Sequence, residues 1–276
     1  MNDQSGPRVA ANQENILSIL RLNRPYGWRG KIGLITPSPN NVNEPEWARL
    51  APSGVAIHTS RVLLSGAMTL ESYHDMARDL TRAAHELSHA EVDIVAFGCT
   101  SGSFLCSIEE LTASITEKTG TPAIVTAGAV IMALRKLGVR KIAMATPYLD
   151  FVNKREVEFL EEYGFEVTRY HGLNLGHNHA ERRGMGHIPP QAFYRLACEI
   201  DSPDAEAIFL SCANIATIEV IEDIEKTLGK PVVTSNVACL WACLRILRIN
   251  SSIEGYGRLM RDFTQPLTKQ EWQLKP

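Results

Sequence analysis

The feature that most constrains the fold of this chain is an internal repeat at a spacing of about 110 residues. Residues 31–37 (KIGLITP) recur as residues 141–147 (KIAMATP), and the pair Val42-Asn43 recurs as Val152-Asn153. A glycine–x–proline step recurs in the same way at Pro122 and Pro231. The chain has 276 residues, which is more than one hydrophobic core usually serves. The repeat therefore predicts two similar domains.

Short apolar runs alternate with amphipathic stretches in both halves, which is typical of strands alternating with helices. The clearest strands are continuous apolar runs rather than alternating ones, as expected for parallel sheets covered on both faces. Strands are predicted at 31–35, 55–61, 92–97, 122–125, 141–147, 166–170, 207–210 and 231–235. Helices are predicted at 14–22, 70–90, 104–118, 127–137, 151–163, 190–200, 215–228 and 237–247.

This alternation predicts an α/β fold of two pseudo-symmetric domains with parallel sheets. We expect an N-terminal arm (1–29), a first α/β domain (30–138), a second α/β domain (139–260) and a tail (261–276). Ligands bind such sheets at the carboxyl ends of the strands. Two similar domains would bring these ends together, so the active site is expected in the cleft between them.

Composition narrows the class of partner. The net charge is −3 and the isoelectric point about 6.3, so neither nucleic acid nor an anionic membrane is indicated. No run of about 18 apolar residues occurs, and residues 1–23 lack the apolar core of a signal peptide. We expect a cytoplasmic protein.

Two cysteines, Cys99 and Cys212, carry the strongest chemical signal. Each follows a predicted buried strand (92–97 or 207–210), and each precedes small polar residues and a helical pattern. At such a position the helix dipole and free backbone N–H groups favour the thiolate. One thiol in each half, at equivalent strand ends, predicts a catalytic pair that faces one substrate from opposite sides. Such a pair can move protons at carbon without a metal or an organic cofactor.

Other motifs give weaker signals. Cys239 and Cys243 share one helix face and are expected to be buried, and Cys106 and Cys198 are interpreted in the same way. The histidines of the loop 172–186 and its neighbours are not expected to bind a metal. No phosphate-binding glycine motif follows the first strand, and no nucleophile elbow occurs.

Neutral hydrogen-bond donors follow several predicted strands. They could hold carboxylate oxygens and stabilise an enolate-like charge. The four strand-end loops contain no arginine clamp, so helix N-termini are expected to supply the positive potential. The candidate substrate-binding residues in these loops are Pro37, Ser38, Asn40, Thr100, Ser101, Tyr148, Ala213 and Asn214.

A set of short motifs lies at or near the predicted strand ends, namely 37–40 (PSPN) with Glu44 and Glu46, 99–101 (CTS), 145–148 (ATPY) and 211–212 (SC). Together these motifs resemble the aspartate/glutamate racemase superfamily, within its maleate isomerase and arylmalonate decarboxylase branch. The resemblance covers about residues 30–260. It implies two flavodoxin-like domains, an active site between them and no cofactor. It also implies that Asn40, Tyr148 and Asn178 bind carboxylates.

Maleate isomerases of this branch are similar to the chain in having both cysteines. The resemblance then implies that Cys99 adds to the alkene and that Cys212 protonates the neighbouring carbon. Arylmalonate decarboxylases have glycine in place of Cys99 and a glycine-rich segment where this chain has Asn214. The leading hypothesis is maleate cis-trans isomerisation.

Several alternatives stay open. Racemases of the superfamily also use two thiols, a decarboxylase is possible, and some members of the branch accompany ectoine breakdown. A carboxylate-binding module without catalysis is the non-enzymatic alternative. A small carboxylate is the expected partner, and a homo-oligomer is the expected assembly.

Overall fold

The computed structural model describes residues 24–272 and Leu274. The helix predicted at 14–22 lies outside these residues. The first half contains β1 (Gly30–Pro37), α1 (Asn43–Leu50), β2 (Val55–Val62), α2 (Leu70–Arg78), α3 (Leu80–His89), β3 (Ile94–Phe97), α4 (Thr100–Leu105), α5 (Ile108–Thr119), β4 (Ala123–Val125) and α6 (Thr126–Leu137).

The second half contains a similar series of elements. In chain order these are β5 (Lys141–Thr146), α7 (Asp150–Glu162), β6 (Glu166–Gly172), α8 (His179–Gly184), a 3₁₀ turn (Met185–His187), α9 (Pro190–Ile200), β7 (Ala207–Leu210), α10 (Ile221–Leu228), β8 (Val232–Thr234), α11 (Ser235–Ile246), α12 (Arg258–Asp262) and α13 (Lys269–Trp272). The division of the chain into domains at residue 138 stays a prediction.

Each half forms a four-stranded parallel sheet, and the two sheets have the same topology. Their strand orders are β2-β1-β3-β4 and β6-β5-β7-β8. In the first sheet Ile35 lies between Ser60 and Phe97, and in the second sheet Ala145 lies between His171 and Leu210. This order begins the flavodoxin-like arrangement. The predicted α/β fold with two equivalent parallel sheets is confirmed.

The two halves meet through the helices that follow their last strands. Helices α6 and α11 pack against each other, and α11 also contacts β3, β4 and α1 of the first half. Both helices are apolar on nearly all sides, as expected for helices surrounded by protein. This packing places the carboxyl ends of both sheets around one cleft.

Two predicted helices of the first half are each divided in the structure. The helix predicted at 70–90 breaks at Asp79, whose N–H donates to Met76 O in a tighter turn. The helix predicted at 104–118 is replaced by α4 and α5. Ser107 begins α5 as its cap, because its Oγ accepts a hydrogen bond from Glu110 N (3.2 Å).

Two predictions in the second half also differ from the structure. The loop predicted at 172–186 contains α8, which Asn178 caps by accepting from Glu181 N at 3.0 Å. The helix predicted at 215–228 begins only at Ile221. The backbone N–H groups of Thr217 and Ile218 instead donate to the Glu46 carboxylate of the first half.

Within residues 24–272, no helix combines the length and the apolar character that a membrane crossing requires.

Candidate active site

Cys99 lies at the end of the central strand β3 of the first sheet. The residue caps α4, and its Sγ accepts a hydrogen bond from Gly102 N at 3.3 Å. Gly98 precedes it, and a Cβ at that position would lie 2.4 Å from Asn43 Nδ2. Only glycine therefore lets the chain turn here from strand to helix with the thiol against the cleft.

Cys212 occupies the corresponding position after β7 in the second sheet. Its Sγ accepts a hydrogen bond from Asn214 N at 3.2 Å, and its own N–H donates to Ser235 Oγ at 3.1 Å. Ser211 beside it donates to the buried Glu156 carboxyl. The thiol is thus held by the turn that follows its strand, as Cys99 is.

Both thiols line one pocket between the halves. The pocket also contains seven of the nine predicted substrate-binding residues, namely Pro37, Asn40, Thr100, Ser101, Tyr148, Ala213 and Asn214. The strand-end positions identified in the sequence are therefore brought together.

Burial dominates the electrostatics of the two thiols. Burial raises the pKa of Cys99 to about 11, although the hydrogen bond from Gly102 N opposes the shift. Burial raises the pKa of Cys212 to about 12, and the nearby Tyr148 hydroxyl and Asn214 N–H oppose it. The N–H group at the start of α4 favours the Cys99 thiolate, as expected, but burial acts in the opposite direction and is the larger effect.

Hydrogen bonds across the cleft fix the loops that carry the thiols. Asn40 Nδ2 donates to Ala213 O (2.8 Å), and Asn41 N donates to Asn214 Oδ1 (3.1 Å). Asn40 Oδ1 also accepts from the backbone of its own loop. Among the described residues Asn40 Nδ2 donates only to Ala213 O, so a ligand could accept a hydrogen bond from its second N–H.

The carboxyl of Glu46 forms a second link between the halves. It accepts from Thr217 N (2.7 Å), Ile218 N (3.2 Å) and Asn236 Nδ2 (2.7 Å). Burial raises its pKa to about 7 against these hydrogen bonds. The Glu46 carboxyl therefore connects the two halves and does not line the pocket.

Two hydroxyl groups in the pocket wall lack a hydrogen-bond acceptor of normal geometry in the described part of the chain, the Oγ1 of Thr100 and the hydroxyl of Tyr148. The Tyr148 hydroxyl lies near Cys212 and lowers the pKa of that thiol. The backbone of Tyr148 is fixed, since its N–H donates to Thr146 Oγ1 (3.0 Å) and its carbonyl accepts from Asn153 Nδ2 (3.2 Å). Buried unpaired donors aimed at a pocket are expected where a ligand supplies the acceptor.

Two predicted residues do not line the pocket. Ser38 is exposed and connects its loop to Leu64, whose carbonyl accepts from Ser38 Oγ at 3.3 Å. Asn178 is exposed and caps α8, and its Nδ2 donates to Glu181 Oε1 at 2.8 Å. The side chain of Asn178 is thus occupied by its own helix. Their predicted contact with a substrate stays untested.

Arg182 and Tyr73 line the pocket, and the sequence interpretation missed both. Arg182 belongs to α8, outside the four strand-end loops, and Tyr73 belongs to the amphipathic α2, where an aromatic residue indicates core packing. Ser101 Oγ donates to the Tyr73 hydroxyl at 2.9 Å, so Tyr73 also supports the Cys99 turn. The capping pattern Asn178-x-x-Glu181 could have identified α8.

The remaining cysteines and the histidines lie away from this chemistry. Cys239 and Cys243 are buried as predicted, whereas Cys198 is exposed and Cys106 is half-buried. The prediction of a buried Cys198 is therefore wrong, because this position faces outward on α9. Among residues 24–272, no three His, Cys, Asp or Glu side chains are grouped so that they could hold a metal ion.

The fold and the pocket define a two-domain α/β enzyme with a thiol from each half. The sequence profile of the arylmalonate decarboxylase family matches residues 32–260, and the chain belongs to that family. The chain is 32% identical to arylmalonate decarboxylase of Bordetella bronchiseptica over 234 residues, which cover 83% of this chain and 95% of the relative.

Maleate isomerases are also among the relatives. The enzyme of Geobacillus stearothermophilus is 27% identical over 248 residues, covering 83% of this chain and 96% of the relative. A variant of the maleate isomerase of Pseudomonas putida S16, solved with maleate, superposes with a TM-score of 0.77 at 27% identity, covering 84% and 97% of the two chains. A liganded arylmalonate decarboxylase variant superposes with a TM-score of 0.75 at 31% identity, covering 83% and 98%.

Proposed function

We propose that this protein is a cofactor-independent isomerase that converts maleate to fumarate. The observation that supports this proposal most strongly is that two thiols from equivalent strand ends, Cys99 and Cys212, line one pocket. A decarboxylase needs one proton donor, whereas addition to an alkene and protonation of its second carbon need two groups on opposite sides. The relatives named maleate isomerase agree with this interpretation.

In the proposed reaction, the Cys99 thiolate forms a carbon–sulfur bond to one alkene carbon, and the π electrons move to the neighbouring carbon and its carboxylate. The Cys212 thiol gives its proton to that neighbouring carbon. The former double bond is now single and rotates. The Cys212 thiolate then removes the proton, the double bond forms again, and Cys99 leaves as thiolate, which gives fumarate.

The charges around the two thiols support these roles. The charge of Arg182 lowers the pKa of Cys99 and so favours its ionised form. A charged Cys99 in turn raises the pKa of Cys212. Ionisation of Cys99 therefore keeps Cys212 protonated, as a nucleophile and an acid require.

The enediolate formed during addition needs hydrogen-bond donors. The hydroxyls of Thr100 and Tyr148 and the second N–H of Asn40 are candidate donors in this pocket. Neutral donors fixed in a buried site stabilise developing negative charge strongly. Pro37, Ser101, Ala213 and Asn214 complete the wall around the substrate.

Proton NMR of the reduced protein with maleate tests this proposal. The wild-type protein and C198S, which changes an exposed cysteine, are expected to produce fumarate at the same rate. C99S and C212S are each expected to lose at least about a hundredfold of this rate. Unchanged maleate with the wild-type protein would contradict the proposal.

Decarboxylation of an arylmalonate is a second candidate, because the pocket has an apolar wall that could hold an aryl group. Leu64, Met68 and Met185 form this wall, and the relative with 32% identity is a decarboxylase. Loss of CO₂ from phenylmalonate that persists in C99S and disappears in C212S would support this candidate over the isomerase. Cytoplasmic location and homo-oligomeric assembly stay predictions from the sequence.

A further inference from the structure

We infer that Arg182 binds a carboxylate of the substrate and restricts the pocket to dicarboxylates. This inference rests on the proposed function, since it concerns the substrate of the same pocket. Arg182 lies on α8 of the second half, lines the pocket together with Cys99 and Tyr148, and is only 4% exposed.

The guanidinium is held in place by neutral groups of the first half. Its Nη1 donates to Ser65 O (3.3 Å), and its Nη2 donates to Ala67 O (2.8 Å) and Ser72 Oγ (3.2 Å). Its central carbon lies 5.3 Å from the centre of the Tyr73 ring. The side chain is therefore positioned from several sides, and Nε is buried without a hydrogen-bond partner in the described part of the chain.

None of these partners carries a negative charge. No carboxylate of residues 24–272 forms an ion pair with Arg182. The ion pairs that the structure contains lie mostly at the surface of the protein. Burying a cation without an anion is costly. An anion bound in the pocket would remove this cost, and among the described residues the protein leaves Nε–H and the second N–H of Nη1 without an acceptor.

The Cys99 thiolate is the other anion that Arg182 could face. The charge of Arg182 does lower the pKa of Cys99, but burial keeps that pKa at about 11. Burial thus disfavours the anionic form of Cys99, so the thiol is a poor partner for the Arg182 charge. A substrate carboxylate fills this role at the pH at which the enzyme would work.

The distribution of donors in the pocket then favours two carboxylates. One would bind Arg182, and the other would bind the neutral hydroxyls of Thr100 and Tyr148. A monocarboxylate leaves one of these groups without its partner, and unpaired buried groups discriminate strongly against such a ligand. The apolar side chains Leu64 and Met68 exclude water around the pair.

Calorimetric titration with succinate and butyrate tests this inference, because the two ligands differ by one carboxylate and neither contains an alkene. The wild-type protein is expected to bind succinate at least about tenfold more tightly than butyrate. R182M is expected to weaken succinate binding at least about tenfold and to change butyrate binding little. R182K should retain part of the preference. R183M changes the exposed neighbour and should behave as the wild type.

Equal wild-type affinity for succinate and butyrate would overturn the inference, and this measurement needs no variant that could fail to fold. A folded R182M that binds succinate as tightly as the wild type would also overturn it. Failure of the proposed isomerase function gives a different result. In that case maleate stays unchanged, while the preference for succinate and its dependence on Arg182 persist.

Discussion

Asn40 Nδ2 donates a hydrogen bond to the carbonyl oxygen of Ala213, 2.8 Å away and 173 positions later in the chain. This bond connects the loop after β1 of the first sheet to the residue that follows Cys212. The same carboxamide accepts from the N–H groups of Val42 (2.9 Å) and Asn43 (3.0 Å). One side chain therefore shapes its own loop and sets the distance between the two halves at the pocket.

Asn40→Ala is expected to lower the free energy of unfolding by about 2–4 kcal/mol, since a buried carbonyl and two N–H groups lose their partner. Urea denaturation measures this change. Asn41→Ala is the matched control, because its side chain is exposed and its backbone bond to Asn214 stays. A change of less than about 0.5 kcal/mol is expected there. Equal effects of the two substitutions would contradict the role of Asn40.

Glu156 makes the stability of the protein depend on pH. The carboxyl is buried beneath Ser211, one of its oxygens has no partner among the described residues, and burial raises its pKa to about 8. The neutral acid is thus favoured in the folded state. This contribution is fully present below the ordinary pKa of about 4.5 and is lost as the pH rises through about 8.

Glu156→Gln keeps the shape of the side chain and removes its titration. We expect the loss of unfolding free energy between pH 5 and pH 8 to be smaller in this variant by an amount on the order of 3 kcal/mol. Glu46 and Glu225, whose pKa values are also raised by burial, contribute to the slope that remains. Glu161→Gln alters an exposed residue of the same helix and serves as control. Identical pH profiles for Glu156→Gln and the wild type would refute the assignment.

Gly172 positions Tyr148 through a close backbone approach. A Cβ at Gly172 would lie 2.1 Å from Asn153 Nδ2 and 2.8 Å from Tyr148 O. Gly172→Ala therefore displaces Asn153, and we expect a lower melting temperature and at least about a tenfold loss of kcat/KM, because the Tyr148 hydroxyl moves. Gly184→Ala is the control, since no atom lies within 4 Å of its Cβ position. That variant should keep wild-type activity.

Alkylation of Cys99 is expected to report the high pKa of its thiol. The thiolate is the reactive form, and the pKa is about 11. The rate of carbamidomethylation by iodoacetamide at Cys99 should rise about tenfold per pH unit from pH 7 to pH 10. Peptide mapping, with C99S as the reference, follows this one site. An alkylation rate that stops rising below pH 8.5 would mean that hydrogen bonds from nearby N–H groups lower the pKa of the thiol more than burial raises it.

The features that the sequence predicts correctly are encoded locally. The repeat around Lys31 and Lys141 marks the first strand of each half, and the apolar runs before Cys99 and Cys212 mark the central strands. Because equivalent strands end at equivalent edges, the position of both thiols follows from the repeat itself. The matching strand order of the two sheets is the structural counterpart.

The features that the sequence does not predict depend on distant contacts. Arg182 donates to groups 110 to 117 positions away, so no local pattern identifies it as a pocket residue. Residues 215–220 have a helical pattern, yet the N–H groups of Thr217 and Ile218 donate to Glu46, which lies 171 and 172 positions earlier. Tertiary hydrogen bonds override the local propensity in both places.

Peptide mapping by mass spectrometry after incubation with maleate tests the two-thiol account most directly. In C212S a proton from water can still complete the adduct slowly, but no thiolate removes a proton again, so a succinyl group is expected to accumulate on Cys99 alone. In C99S no cysteine should be modified, and in C198S fumarate should form without accumulation. A succinyl group on Cys212 in C99S, or full conversion of maleate in both pocket variants, would contradict the account.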